Sequence, residues 1–198
     1  MSKKKKLTTE QTFALAIENH KKNNLQIAEN LYKETLKINP NHLETIFYLG
    51  SLLAQTQKFE LAKPLFRKAI KINPNYSGAY PAMGWLECMA KHRHDKALEH
   101  FDEALKHNPN NVQALMWKAI TCRSMQRSNE AIQLSSRAIE LDPNNHVAYM
   151  LLCLDYASDF QYENAEKAAK KSVSLKPDYG MGQNALFNAL AMQENKKE

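Results

Sequence analysis

The residues best suited to chemistry cluster in mid-chain. His92, His94 and His100 lie beside Asp95, and three cysteines stand at Cys88, Cys122 and Cys153. Imidazole and thiolate are the usual ligands of zinc, but zinc sites draw them from tight, recurrent spacings. No cysteine joins these histidines at such a spacing, so the cluster predicts surface imidazoles and no metal site. An odd number of cysteines without CxxC spacing argues against a disulfide framework and for packing thiols in a reducing compartment. Cys88 and Cys122 fall on neighbouring helices whose axes should lie about 8–10 Å apart, too far for a bridge. GxSxG, P-loop, HExxH and GxGxxG patterns are all missing from the chain. With no nucleophile set beside a base and no phosphate cradle, the sequence predicts neither an enzyme nor a cofactor.

What remains is recognition through side-chain contact, and that depends on the elements that carry the side chains. The pentapeptide KINPN occurs at 37–41 and again at 71–75. Its prolines open a series of Pro40, Pro74, Pro109, Pro143 and Pro177, equally spaced except that the interval before Pro109 is one position longer. Twelve residues before each proline stands an alanine: Ala28, Ala62, Ala97, Ala131 and Ala165. Seven residues after each alanine comes Thr35, Ala69, Ala104, Ala138 or Ser172, and an earlier small column holds Ala16, Gly50, Gly84, Ala119 and Cys153. Bulky columns run between them, with Leu15, Leu49, Met83 and Leu152 in one, and Tyr32, Phe66 and Phe101 in another. Small residues let two helix axes approach closely while aromatics fill the space one turn away. Apolar spacings of three and four, as in Leu61, Leu65 and Phe66, have helical period. Each proline should end a second helix, and the asparagine after it is expected to cap the next first helix.

The register of Ile46, Leu49, Gly50, Leu53, Ala62, Phe66, Ala69 and Pro74 resembles the tetratricopeptide repeat. The resemblance covers five units, 9–42, 43–76, 77–111, 112–145 and 146–179, and a closing helix at 180–195. It implies an all-α fold, a right-handed α-solenoid of antiparallel helix pairs, with short tails at 1–8 and 196–198. Several positions depart from the family pattern. No unit has the glycine usual between paired helices, and the third unit carries an extra residue within 91–95. Ser135 and Ala169 replace the aromatic, and Lys118 replaces a leucine, so the C-terminal half is expected to pack less well. Pro64 and Pro81 are expected near helix starts, where proline is tolerated.

Such a solenoid turns its first helices toward a concave face. The stripe beside the core columns runs through Phe13, Ile17, His20 and Lys21, then Phe47, Ser51 and Gln55, then Pro81, Trp85, Cys88 and Met89. It continues through Met116, Ile120 and Arg123, then Met150, Leu154 and Ser158, and closes with Met181, Asn184, Asn188 and Met192. Five of the eight methionines lie on it, and Met-rich surfaces with aromatic anchors suit permissive protein binding. The predicted partner is an apolar or amphipathic segment of another protein. Its groove is expected to comprise Phe13, Ile17, Lys21, Phe47, Ser51, Gln55, Trp85, Met89, Met116, Ile120, Arg123, Met150, Leu154, Asn184 and Asn188. Some family members hold a C-terminal carboxylate with Lys, Asn and Arg on three first helices. The matching places here include Phe13, Ile17, Tyr48, Gly78 and Ala82, which lack that charge.

Two other readings stay open. The groove could be filled by a second copy, giving a homo-oligomeric scaffold. Because the chain up to about Asn75 also resembles repeat segments fused to transferase domains, it could instead serve as an accessory module acting in trans. The net charge is +6, but four of the positive charges are Lys3 to Lys6. That argues against specific nucleic-acid binding, which needs a basic stripe on a folded face, and for a solubilising tail. No apolar run could span a bilayer and the N-terminus lacks a signal pattern, so a cytoplasmic location is expected.

Overall fold

The computed structural model describes residues 7–91 and 93–194, and among these it shows helices and no strand. The chain divides into two compact units, the first ending at Lys91 and the second formed by the rest. The first contains α1 (Thr9–Lys21), α2 (Leu25–Ile38), α3 (Leu43–Gln55), α4 (Phe59–Ile72) and α5 (Ala79–Lys91). The second contains α6 (His94–His107), α7 (Val112–Ser124), α8 (Ser128–Leu141), α9 (His146–Ser158), α10 (Tyr162–Leu175) and α11 (Gly180–Glu194). Within each unit successive helices pack as antiparallel pairs, the all-α solenoid packing that the repeat register predicts. Lys3 to Lys6, His92 and residues 195–198 lie outside the described residues.

The small columns form the seams. Ala28, Ala62, Ala97, Ala131 and Ala165 are each fully buried, as are Ala16 and Ala119. At Gly50 an added Cβ would stand 2.8 Å from the Phe66 ring, closer than any packing allows. Leu15 departs from its column. Its counterparts Leu49, Met83 and Leu152 are buried, but Leu15 is 38% exposed, because no earlier helix pair among the described residues covers α1.

The connectors correct the expected cap. In KINPN the asparagine after the proline is not the helix cap. The Asn39 carboxamide oxygen accepts from the Asn41 amide across Pro40, and Asn73 and Asn108 do the same for Asn75 and Asn110. The cap sits one residue later: His42, Asn111 and Asn145 accept from the amides of Thr45, Ala114 and Ala148. Thr8, which the sequence places in the tail, caps α1 through a reciprocal capping box with Gln11. Pro64 lies inside α4, beyond the first turn, and not at the helix start.

Inside four of the pairs the chain turns through a left-handed residue: Asn23, Gln57, Gln126 and Phe160, each with φ near 60°. The amides of Asn24, Lys58, Arg127 and Gln161 each reach back five residues to close the turn, the Schellman arrangement that ordinarily uses glycine. Asparagine tolerates this backbone, whereas phenylalanine is strained there by its Cβ. Phe160 is also 74% exposed, so little packing offsets the strain.

The second unit fills two of the lapses in its columns with charge. Ser135 stands where the aromatic is missing, and its hydroxyl donates to Asp155 Oδ2 (2.5 Å). Arg123 Nη1 donates to Asp155 Oδ1 (2.6 Å), and Asp155 is fully buried. Lys118, in the leucine column, pairs with Asp102 (2.7 Å) and Glu130 (3.6 Å). Burial alone would pull its ammonium down, but the hydrogen bond and charge of Asp102, with Glu130, hold it above its ordinary value. Two of the places expected to pack less well, Ser135 and Lys118, are thus occupied by polar networks that join neighbouring helices, and the third, Ala169, is fully buried in the apolar core.

Two outcomes are expected. Replacing Phe160 by glycine should relieve the left-handed strain and stabilise the protein by about 1 kcal/mol, read as a higher urea midpoint. Asp155→Ala should destabilise by about 3 kcal/mol, since it strands Arg123 and Ser135. Burial pushes the Asp155 carboxyl up, and Ser135 and Arg123 offset this only in part. The folded state therefore holds that proton more tightly than the unfolded chain. This group's contribution is greatest below about pH 4 and declines as pH rises through the folded value. Urea midpoints of the wild type should accordingly fall relative to those of Asp155→Asn as pH is raised from about 4 to 7.

Candidate functional site

In the first unit α1 and α3 run side by side in the same direction. At their starts the Phe13 ring lies 5.1 Å from the His42 ring and 5.9 Å from that of Tyr48. At their ends His20 Nε2 donates to Gln55 Oε1 (3.0 Å), leaving Nδ1 to accept from the buried Tyr32 hydroxyl (3.1 Å). Between these ties lies a surface cavity of about 530 Å³ lined by Phe13, Ile17, His20, Lys21, Glu44 and Tyr48. Three of the expected groove residues, Phe13, Ile17 and Lys21, meet here.

Glu44 and Tyr48 lie outside the expected groove set. Their signal in the sequence is the first-turn acid shared by α1 and α3, Glu10 and Glu44, and an aromatic adjoining Phe47. The floor of the cavity, Phe13, Ile17 and Tyr48, is backed at Tyr48 by a further ring. Phe47 packs between Tyr48 (5.6 Å), Phe66 (5.7 Å) and Tyr76 (5.1 Å). A Cβ at Gly78 would stand 2.8 Å from the Phe47 ring, so that glycine makes room for the aromatic. Burial raises the Tyr76 hydroxyl to about 12, with nearby Tyr48 and Glu44 acting in the same direction, and this keeps the ring neutral.

The other expected residues of this unit take varied places. Ser51 donates to the Phe47 carbonyl (3.0 Å). Gln55 is exposed and engages His20. Trp85 is half-buried, edge-on to Phe59 at 5.9 Å, and packs against the core of the unit. Met89 is 47% exposed.

In the second unit Met116, Ile120 and Leu154 are half-buried against the core. Met150 departs from expectation: it is 7% exposed and belongs to that core, beside Leu151 and Leu152. Arg123 is taken up by Asp155 and so cannot orient a ligand without leaving a buried carboxylate. Asn184 and Asn188 are exposed on α11.

All three cysteines are buried thiols outside any disulfide, and burial pushes the Cys122 and Cys153 thiols up to about 11, leaving almost no thiolate at neutral pH. Among the described residues no group of three His, Cys, Asp or Glu could hold a metal ion. Nor is any helix among them long and apolar enough to cross a membrane.

Comparison with solved structures places the architecture. The chain resembles TTC0263, a thermophilic TPR protein of Thermus thermophilus, with a TM-score of 0.81 at 16% identity, covering 93% of this chain and all of that one. It resembles PilW, a type IV pilus biogenesis factor, with a TM-score of 0.79 at 21% identity, covering 94% and 89%. It also resembles YrrB, a TPR protein with an unusual peptide-binding site, with a TM-score of 0.61 at 19% identity, covering 88% and 90%. No curated protein matches. Two tetratricopeptide repeat family models match, one over residues 43–76 and the other over 89–153, together half of the chain. With the column register and the helix pairs already described, these matches show that the chain belongs to the tetratricopeptide repeat family.

Proposed function

We propose that this protein is a non-catalytic interaction module that receives an apolar or amphipathic segment of a partner protein on its first helices. The cavity between α1 and α3 is its anchoring site. The observation that carries this reading is the aromatic and aliphatic lining of that cavity, Phe13, Ile17 and Tyr48, open at the surface of the first unit. A floor fixed by ring contacts costs little ordering on binding, and its volume is in the range of ligand sites. At the level of fold, the likeness to YrrB, whose structure is described with a peptide-binding site, supports the same reading. Buried, weakly acidic thiols suit a reducing compartment, and we place the protein in the cytoplasm.

A second reading, self-assembly, has its own support. On α11, Phe187 is 73% and Leu190 40% exposed, an apolar face of the kind that a second copy could cover. Sedimentation should then show an association that Phe187→Asp abolishes. A monomer at all concentrations up to about 100 μM removes this reading.

Affinity capture followed by mass spectrometry, with wild type beside Tyr48→Ala, tests the first reading. Tyr48 is a better probe than Trp85, whose ring also supports the fold. A partner bound through the cavity should be lost from the variant, and its purified complex should weaken by about 2 kcal/mol. Identical partner lists and affinities would place the working surface elsewhere.

A further inference from the structure

The rim of the cavity carries opposite charges at its two ends. Lys21 lies at the C-terminal end of α1, beside His20, and Glu44 lies in the first turn of α3. Because His20 is tied to Gln55 at the end of α3, the two ends can be measured along a single helix. Glu44 and Gln55 are eleven positions apart, which corresponds to about 16 Å at 1.5 Å per residue. Glu10, in the first turn of α1, repeats the acid at the Glu44 end. Lys21 and Glu44 are both exposed. Among the described residues no carboxylate pairs with Lys21, and Glu44 has only a long contact of 3.8 Å to His42 Nε2. Exposed like this, neither charge is needed to hold the fold.

Resting on the interaction reading above, we propose that the first unit selects a polar-ended segment. The ligand is a short stretch of a partner protein with bulky apolar residues at its centre. A carboxylate at one end meets Lys21, and a basic residue at the other end, one α3 length away, meets Glu44 and Glu10. The apolar centre fills the space over Phe13, Ile17 and Tyr48, while the charges fix which way round the segment lies. Rim charges act in this manner in general: they contribute modest affinity and strong discrimination against wrongly charged or reversed partners. A segment bound as a helix antiparallel to α1 would carry that acid at its own N-terminus, where its own dipole favours it.

The test uses a displayed library of random dodecapeptides, selected on the full-length wild-type chain and on the double variant Lys21→Glu, Glu44→Lys. Peptides from the wild type should share an apolar centre with an acid on one side and a base on the other, in a constant order. The double variant should select the reverse order. For one chosen wild-type peptide, Lys21→Glu alone should weaken binding about fivefold in low salt and much less at about 0.5 M salt. Selected peptides without charge order, or with the same order for both proteins, overturn the proposal. If those peptides still lose affinity with Tyr48→Ala, the cavity reading stands without it. If no peptide is enriched over a Phe13→Ala, Tyr48→Ala control that keeps its helical circular dichroism, both readings fail.

Discussion

Everything in this molecule depends on how closely the two helices of a repeat approach. The distance is set by small residues on both helices, with the small column of the first helix set against the aromatic of the second. Gly50 shows how tight the fit is, since one added carbon would stand 2.8 Å from Phe66. Once that contact is fixed, so is the rotation of each first helix about its axis, and with it the stripe turned away from its partner. Phe13, Ile17 and Tyr48 line a cavity because Ala16 and its counterparts cannot leave the seam. The closing helix makes the same point in reverse. One repeat beyond Cys153 the same column holds Phe187, whose ring would forbid that approach, and it stands 73% exposed.

The parts of this arrangement written in local chemistry were legible from the residues alone. The phased prolines marked the helix ends, the alanines marked the seams, and helical spacing marked the faces. Partnerships between residues far apart in sequence were not legible. Arg123 reads as a free cation on the stripe because its partner, Asp155, lies a whole repeat away and is itself an ordinary residue of a first helix. Ser135 reads as a defect in the aromatic column, yet it completes that same buried pair. Met150 falls on the correct helical face but is covered by the second unit's own core. The cap at His42 is hidden because histidine is seldom read as a cap, and its neighbour Asn41 is the commoner choice.

The half-buried aromatics therefore serve two purposes. Phe47 and Trp85 face the predicted stripe, but each is also wedged against a second helix, Phe47 against Phe66 and Trp85 against Phe59. If these rings bind a partner as proposed, their packing in advance leaves less ordering entropy to oppose binding. The same arrangement ties recognition to stability, because such a side chain cannot change without disturbing the packing beneath it. Lys21 and Glu44 escape this constraint, since both are exposed and neither supports a seam.

That division suggests how a generic scaffold acquires a particular partner. Repeats that share one set of seam residues must share one backbone, so specificity has to come from positions the seam leaves untouched. In the first unit those positions lie at the ends of the first helices, where charge is readily accommodated and the helix termini already bias its sign. On the reading proposed above, the apolar floor would decide how strongly a segment is held, and the rim which segment and in which direction. On that reading a substitution at the rim would redirect recognition without changing the fold, whereas one at a wedged ring such as Phe47 or Trp85 would change both together.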